Sequence, residues 1–308
     1  MNSIYSSAIT YLRVLALTLI VSCHFLQAAN NKLAWVLNIG VHIFFYISGY
    51  IYGHRVIAMW PSWYIKRGIR IQPPLLITVL LFAIISYLLF PNSVHILSIA
   101  SYFIGTQWFW GGLQGMEHLW FITAILLCYL ITPLLQALRG VSHYCIAILI
   151  FYSVLEMFLI RYETKIFMPL FIYAFGYFYT NTPKRWKYGV LSFLVIICIS
   201  IVYKLNWEQI LDYSSKMNQA FHTYYGIAFS VFFIEIFTHI FNSVTVIKPI
   251  HLLDSHSYEI YLVHHPLILG PFSLKFSPSI VLLIILLAAY SIKRINSRTT
   301  RMLFNRIS

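Results

Sequence analysis

The stretch that decides the fold is Ala8–Ala29, which reads AITYLRVLALTLIVSCHFLQAA. It is long and apolar enough for a helix that crosses a bilayer. Arg13 and His24 stand in this apolar run, eleven residues apart. In a helix they lie about 16 Å apart along the axis and only about 20° apart around it. The stretch therefore predicts a spanning helix with a cation near one membrane surface and an imidazole near mid-depth on the same face.

Two interpretations of this pair stay open at the level of sequence. Ionisable groups inside the hydrocarbon are costly unless they face a polar interior, which favours a functional cavity. Alternatively, the Arg13 side chain extends to the lipid headgroups and His24 is a hydrogen-bonded packing residue.

The composition places the chain among membrane proteins. Of its 308 residues 60% are hydrophobic and 9% charged, and the mean hydropathy is +0.78. These values exclude a soluble globular protein of this length. The net charge of +13 would suggest a nucleic-acid partner in a soluble chain. Here the distribution of basic residues follows the membrane topology. The expected partner is therefore the lipid bilayer, and no nucleic-acid partner is expected.

The hydropathy pattern predicts an all-α fold, a polytopic transmembrane helical bundle of about ten spans. No connection between spans is long enough for a separate soluble domain, so residues 1–308 are expected to form a single transmembrane domain. The ten predicted spans are Ala8–Ala29, Trp35–Gly53, Pro73–Phe90, His118–Ala137, Tyr144–Ile160, Ile166–Tyr179, Tyr188–Tyr203, Phe221–Phe241, Ser257–Phe272 and Ser279–Ile295.

Lysine and arginine are unevenly distributed between the two sides of this arrangement. With the N-terminus inside, fourteen lie on the inner side, namely Arg55, Lys66, Arg67, Arg70, Arg139, Lys184, Arg185, Lys187, Lys248, Lys293, Arg294, Arg298, Arg301 and Arg306. Six lie on the outer side, namely Lys32, Arg161, Lys165, Lys204, Lys216 and Lys275. Because loops rich in Lys and Arg stay in the cytoplasm, both termini are predicted to be cytoplasmic.

We expect reporter fusions after Ser308 and after Asn92 to report opposite sides of the membrane, with Ser308 in the cytoplasm. The physical reason is the excess of basic residues on the inner side. A reporter that is active only outside the cytoplasm and one that is active only inside it make the measurement at each position. A C-terminus outside the cytoplasm would contradict the predicted orientation.

A second polar constellation, WYIKRGIRIQPP at residues 63–74, precedes the third predicted span. Arg67 and Arg70 are three residues apart and share a face if this stretch is helical. Two forked guanidinium groups on one face suit phosphate groups. The alternative is ordinary anchoring of a basic loop on the cytoplasmic side. The Pro73-Pro74 pair is expected in the first turn of the following helix, where a missing N–H costs little.

The predicted depths suggest a donor that enters from the cytoplasm. Arg13 is expected near the cytoplasmic end of its span, so it could join Arg67 and Arg70 at one anionic ligand, with His24 deeper in the membrane. A donor with a phosphate-rich head and a long thin arm that ends in a thioester would fit this arrangement, and acyl-coenzyme A has that shape.

Three further motifs accompany the Arg-x10-His pattern of the first span and the Arg-x-x-Arg pattern before the third. They are GVHIFFYISGY at residues 40–50, HLWF at residues 118–121 and SYEIYLVH at residues 257–264. The last contains Ser-x-x-x-Tyr-Leu-x-His. Together, in this order, the five motifs resemble the integral-membrane acyltransferase 3 family, which O-acylates cell-surface carbohydrates. The resemblance runs through most of the chain.

The resemblance implies transfer of an acyl group, with acetyl preferred, from cytoplasmic acyl-CoA to a hydroxyl of a glycan or lipid-linked sugar. It also implies residence in the bacterial cytoplasmic (inner) membrane. Acetyl-CoA is then a co-substrate, and neither a bound cofactor nor a metal is expected.

Under this resemblance His24 is the candidate catalytic residue. An imidazole titrates near neutral pH in water, which suits a general base for the acceptor hydroxyl. An acyl-histidine intermediate is the other possibility. The candidate donor-binding residues are Arg13, Arg67 and Arg70, and the candidate cavity-lining or supporting residues are Trp120, Tyr261 and His264.

Two other classes of function compete with the acyltransferase. A transporter or flippase of an anionic or glycolipid substrate would use intramembrane charges along a translocation path and would consume no acyl-CoA. A non-catalytic membrane scaffold would tolerate substitution of Arg13 and His24.

Overall fold

A computed structural model describes residues 3–90, 94–159, 167–181, 186–205, 216–240 and 245–307. Within these ranges every regular element is helical, which confirms the predicted all-α class. Two short 3₁₀ segments lie at Glu117–Leu119 and Leu138–Val141. The α-helices are α1 (Ser3–Ala28), α2 (Ala34–Leu37), α3 (Ile39–Gly53), α4 (Trp60–Leu89), α5 (Ile96–Ile104), α6 (Gln107–Trp110), α7 (Trp120–Ala137), α8 (Ser142–Leu159), α9 (Phe167–Tyr179), α10 (Trp186–Leu205), α11 (Lys216–Ile240), α12 (Lys248–Ser255), α13 (Ser257–Ile268) and α14 (Pro278–Ile307).

Seven helical stretches in the described part of the chain are long and apolar enough to cross a membrane. They are Ser6–Ala28, Ala34–Gly53, Trp60–Leu89, Glu117–Tyr152, Trp186–Leu205, Ala220–Ile240 and Pro278–Ser297. The predicted polytopic helical architecture is therefore confirmed. The number of ten spans and the cytoplasmic position of both termini stay predictions, and the predicted span ends Ile160, Ile166 and Phe241 lie outside the described residues.

Four of the predicted spans have a different form in the structure. The spans His118–Ala137 and Tyr144–Ile160 correspond to one helical stretch that is continuous from Glu117 to Tyr152. The span predicted at Ile166–Tyr179 corresponds to α9, which has 13 residues, and the one at Ser257–Phe272 corresponds to α13, which has 12. These two helices are about 20 Å and about 18 Å long, shorter than a hydrocarbon core of about 30 Å.

The expected position of Pro73 and Pro74 at a helix start is wrong. The helix α4 begins at Trp60, with a proline in its first turn at Pro61, and continues through both prolines. A proline inside a helix removes one backbone N–H, and membrane proteins tolerate this when side chains take part in the hydrogen bonding.

The described helices form two compact units. The first comprises Met1–Leu26, Asn30–Val56 and Leu127–Asp254, and the second comprises Gln27–Ala29, Ile57–Leu126 and Ser255–Ser308. The single domain expected over residues 1–308 stays a prediction.

In the first unit α3 packs directly against α9, and glycine makes this approach possible. A Cβ atom built on Gly49 would overlap the carbonyl oxygen of Tyr173, and one on Gly53 would overlap that of Tyr177. Small residues let helix backbones approach closely in membranes, where van der Waals packing drives association. The interior beside this contact is rich in tyrosine, and the Tyr173 and Thr132 hydroxyls are hydrogen-bonded at 2.8 Å.

We expect Gly49→Ala to destabilise the protein by about 1–3 kcal/mol, the usual cost of overpacking. The added methyl group would meet backbone of α9, which cannot move like a flexible side chain. Thermal unfolding in detergent, followed by tryptophan fluorescence, measures the change. Gly140→Ala is the matched control because its Cβ would meet nothing within 4 Å. Equal unfolding temperatures for the two variants would contradict the close-packing interpretation.

In the second unit α13 packs against both α4 and α14. The Tyr258 hydroxyl donates to the carbonyl oxygen of Ile71 at 2.9 Å and so ties α13 to the middle of α4. The Gln72 side-chain amide donates to the carbonyl oxygen of Phe103 at 3.3 Å, at the end of α5. These contacts fix the part of α4 that follows its two arginines.

Candidate active site

The helix α1 carries both Arg13 and His24 without interruption. Their predicted separation of about 16 Å along one helix face therefore applies. Both side chains are half-buried, whereas neighbouring positions Leu12 and Cys23 are buried in the core of the first unit. The two side chains therefore lie at the edge of the packed core and not inside it.

Arg13 forms an ion pair that the sequence does not predict. Its Nε atom lies 3.2 Å from Oδ1 of Asp254, in the last turn of α12. The Arg13 and Asp254 side chains are 26% and 15% exposed, so both charges are largely withdrawn from solvent. An uncompensated charge at such a depth would be strongly destabilising, and the carboxylate provides the compensation.

Arg67 and Arg70 lie in the N-terminal part of α4, before Pro73, in the second unit. The helix places them one turn apart on the same side, as predicted. The Arg67 side chain is half-buried, and that of Arg70 is exposed. The two guanidinium groups therefore belong to a helix rather than to a flexible loop, which limits the geometries in which they can meet a ligand.

Three imidazoles are grouped in the second unit. The rings of His118 and His265 stack with centroids 4.7 Å apart, and the rings of His118 and His264 meet edge-on at 5.3 Å. Tyr261 lies against this group, with its ring 5.3 Å from that of His118. Its hydroxyl donates to the carbonyl oxygen of His118. The structure thus brings the predicted residues Tyr261 and His264 together with two further histidines.

Backbone carbonyl groups orient the three rings. The contacts are His118 Nε2 to Leu262 O at 3.3 Å, His264 Nδ1 to Tyr261 O at 2.7 Å, and His265 Nδ1 to Gly115 O at 2.9 Å. A carbonyl oxygen only accepts, so in the neutral imidazole the facing nitrogen carries the proton and the other nitrogen is the basic one. This arrangement fixes the tautomers of the three rings in their neutral form.

Trp120 begins α7 next to this group. Its ring lies 5.1 Å from that of Trp108, and the ring of the neighbouring Phe121 lies 5.2 Å from that of Tyr261. Trp120 is half-buried and has an aromatic partner, which fits a supporting role.

Among the described residues, no three or more His, Cys, Asp or Glu side chains are grouped as metal ligands would be. The three histidines of the second unit therefore differ from a metal-binding triad.

A family model described as an acyltransferase domain matches residues 6–292, which is nearly the whole chain. The chain belongs to the acyltransferase 3 family. No curated protein and no solved structure gives a match to it.

Membership of the acyltransferase 3 family confirms the resemblance noted in the sequence motifs. Together with the spanning helices it shows that the protein is a multi-pass membrane acyltransferase. An enzyme is therefore supported over the transporter and the scaffold. The roles of His24, of the three arginines and of the aromatic residues around His264 stay predictions.

Sequence reasoning missed Asp254 and His265. Asp254 stands in a short helix between apolar segments. The only signal in the sequence that could have identified it as a candidate site residue is the scarcity of acidic residues, since the chain has 8. His265 follows the Tyr-Leu-x-His motif directly, but its partner Gly115 is 150 positions away. Such a contact has no local signal in a single sequence.

Proposed function

We propose that the protein transfers an acetyl group from cytoplasmic acetyl-CoA to a hydroxyl of a cell-surface or lipid-linked glycan, in the bacterial cytoplasmic membrane. The observation that carries this proposal is the placement of Arg13 and His24 on one unbroken helix inside a family acyltransferase domain. A guanidinium and an imidazole on one face supply an anion-binding group for the elongated donor and a base for the acceptor hydroxyl.

The donor side of the proposal rests on arginine chemistry. Coenzyme A carries its negative charge on phosphate groups, and arginine binds phosphate through two parallel N–H donors. Arg67 and Arg70 are displayed on one side of α4, and Arg13 lies on α1. In the proposal each of them contacts donor phosphates from the cytoplasmic side. The thioester then lies deeper in the membrane.

The chemical step follows from the thioester and the base. His24 accepts the proton of the acceptor hydroxyl as the oxygen attacks the thioester carbonyl carbon. The new C–O ester bond forms, the C–S bond breaks, and the thiolate of coenzyme A takes up the proton from the imidazolium. In the alternative route the His24 nitrogen attacks the thioester carbonyl carbon, the C–S bond breaks and the thiolate of coenzyme A leaves. The acceptor hydroxyl then attacks the acyl-histidine, the C–O ester bond forms as the C–N bond breaks, and the hydroxyl proton passes to the thiolate.

Mass spectrometry of surface glycans tests the proposal. Cells that carry the gene should contain glycans with the added mass of an acetyl group, and cells without it should not. Expression of a His24→Ala variant at equal protein level should fail to restore this mass. Incubation of the purified protein with labelled acetyl-CoA and extracted glycan follows the transfer directly. Transport of glycan without consumption of acetyl-CoA would contradict the proposal.

A further inference from the structure

The ion pair between α1 and α12 joins a membrane-spanning helix to a short helix that precedes α13. Asp254 lies in the last turn of α12, whose other ionisable side chains are Lys248 and His251. Arg13 lies seven residues inside the apolar stretch that begins at Ser6. A carboxylate from outside the spanning helix thus reaches a guanidinium that lies within the apolar segment.

The nitrogen of the Arg13 guanidinium that faces Asp254 is the one nearest the side-chain stem. Oδ1 of Asp254 lies next to Nε, on the side of the group nearest its aliphatic stem. Arginine has five N–H donors in a planar fork, so one guanidinium group has more donors than a single carboxylate contact uses. One guanidinium can therefore be held by Asp254 and bind a phosphate group.

The position of Arg13 in an apolar segment explains why a carboxylate partner is needed. A long basic side chain inside an apolar segment tends to extend toward the lipid headgroups and water. A carboxylate within ion-pair distance keeps the guanidinium at the protein and offsets the cost of its charge there.

We propose that Asp254 is a positioning residue that holds the Arg13 guanidinium in the orientation that binds a phosphate group of the acyl-CoA donor. The inference rests on the proposed function, in which Arg13 binds the donor. Asp254 itself acts through Arg13 and does not touch the donor.

Simple Coulomb repulsion would give the opposite result. If Asp254 merely competed with phosphate for Arg13, removal of its negative charge would strengthen donor binding. If it positions Arg13, removal of the charge releases the side chain toward the headgroups and weakens donor binding. The direction of the change in affinity therefore separates the two roles.

Binding of coenzyme A to the purified full chain in detergent, measured by calorimetry, tests the proposal. Asp254→Asn should weaken binding about tenfold, within the range found for coupled neighbouring residues. Asp254→Glu keeps the charge but shifts the carboxylate by one methylene, so it should weaken binding by less. Glu235→Gln is the matched control, because this buried carboxylate of the same unit accepts a hydrogen bond from the Tyr179 hydroxyl at 3.0 Å. Its coenzyme A affinity should match that of the native chain.

The double variant shows whether Asp254 acts through Arg13. In an Arg13→Ala background, neither Asp254→Asn nor Asp254→Glu should weaken binding further. A further loss of coenzyme A affinity in the Arg13→Ala background would overturn the proposal. Tighter binding by the Asp254→Asn single variant would also overturn it, and so would native affinity in both the Asp254→Asn and the Asp254→Glu single variants. If Asp254→Asn does not fold, the charge-conserving Asp254→Glu decides by the same comparison. Native affinity in Arg13→Ala alone would instead contradict the donor role of Arg13 in the proposed function.

Discussion

His24→Ala is expected to reduce acyl transfer by about 10²–10⁴-fold, the usual contribution of a general base, while coenzyme A still binds. The imidazole has the proton affinity needed to accept a proton from the acceptor hydroxyl, and alanine offers no replacement. His24→Gln should be equally inactive, because an amide donates and accepts hydrogen bonds but does not take up the proton. Transfer of labelled acetyl groups to glycan, together with calorimetry of coenzyme A binding, gives both quantities.

The matched control for this prediction is His239→Ala. His239 is an exposed imidazole in the last turn of α11, so its removal changes the same residue type without altering packed surroundings. Native turnover is expected for this variant. A His24→Gln protein that inserts normally and keeps near-native turnover would show that His24 is structural. The base would then have to be sought elsewhere, first at His264.

The second large effect is expected from the arginines of α4. Replacing either Arg67 or Arg70 by Ala should weaken coenzyme A binding roughly 10- to 100-fold, the loss that corresponds to a hydrogen bond between charged groups. Lysine should restore little of it, because an ammonium lacks the fork that meets two phosphate oxygens at once. Calorimetry of the inserted and purified variants measures the affinity.

Lys187→Ala is the control for loss of positive charge alone. Lys187 lies on α10, where its ammonium group is 5.9 Å from the centroid of the Trp186 ring. Its removal lowers the charge of the predicted cytoplasmic side by the same amount and should leave coenzyme A binding unchanged. Equal affinities of the Arg67→Ala, Arg70→Ala and Lys187→Ala proteins would mean that these arginines only anchor the helix.

Hydropathy located the apolar helices well because side chains that face the hydrocarbon must be largely apolar. The predicted span Ala8–Ala29 differs from the observed stretch Ser6–Ala28 by two residues at its start and one at its end. The same measure failed at the start of α4. Between Trp60 and Gln72 the helix continues through basic and polar residues. Hydropathy predicts the bounds of the apolar segment, and these differ from the bounds of the helix.

The candidate site could be predicted only where its residues lie close together in the sequence. Arg67 and Arg70 are one helical turn apart, so their shared face follows from spacing. The Arg13–Asp254 pair and the contact of His265 with Gly115 join residues that are far apart in the chain. Only tertiary packing creates such contacts, and a single sequence carries no periodic signal for them.

The length of α4 has a mechanical consequence. Its 30 residues span about 45 Å, which exceeds a hydrocarbon core of about 30 Å. The two arginines therefore lie on a part of the helix that extends beyond the hydrocarbon and is continuous with the membrane-spanning part. A displacement of the arginines on anion binding would be transmitted along this helix into the bilayer, because the described chain has no loop between the two parts.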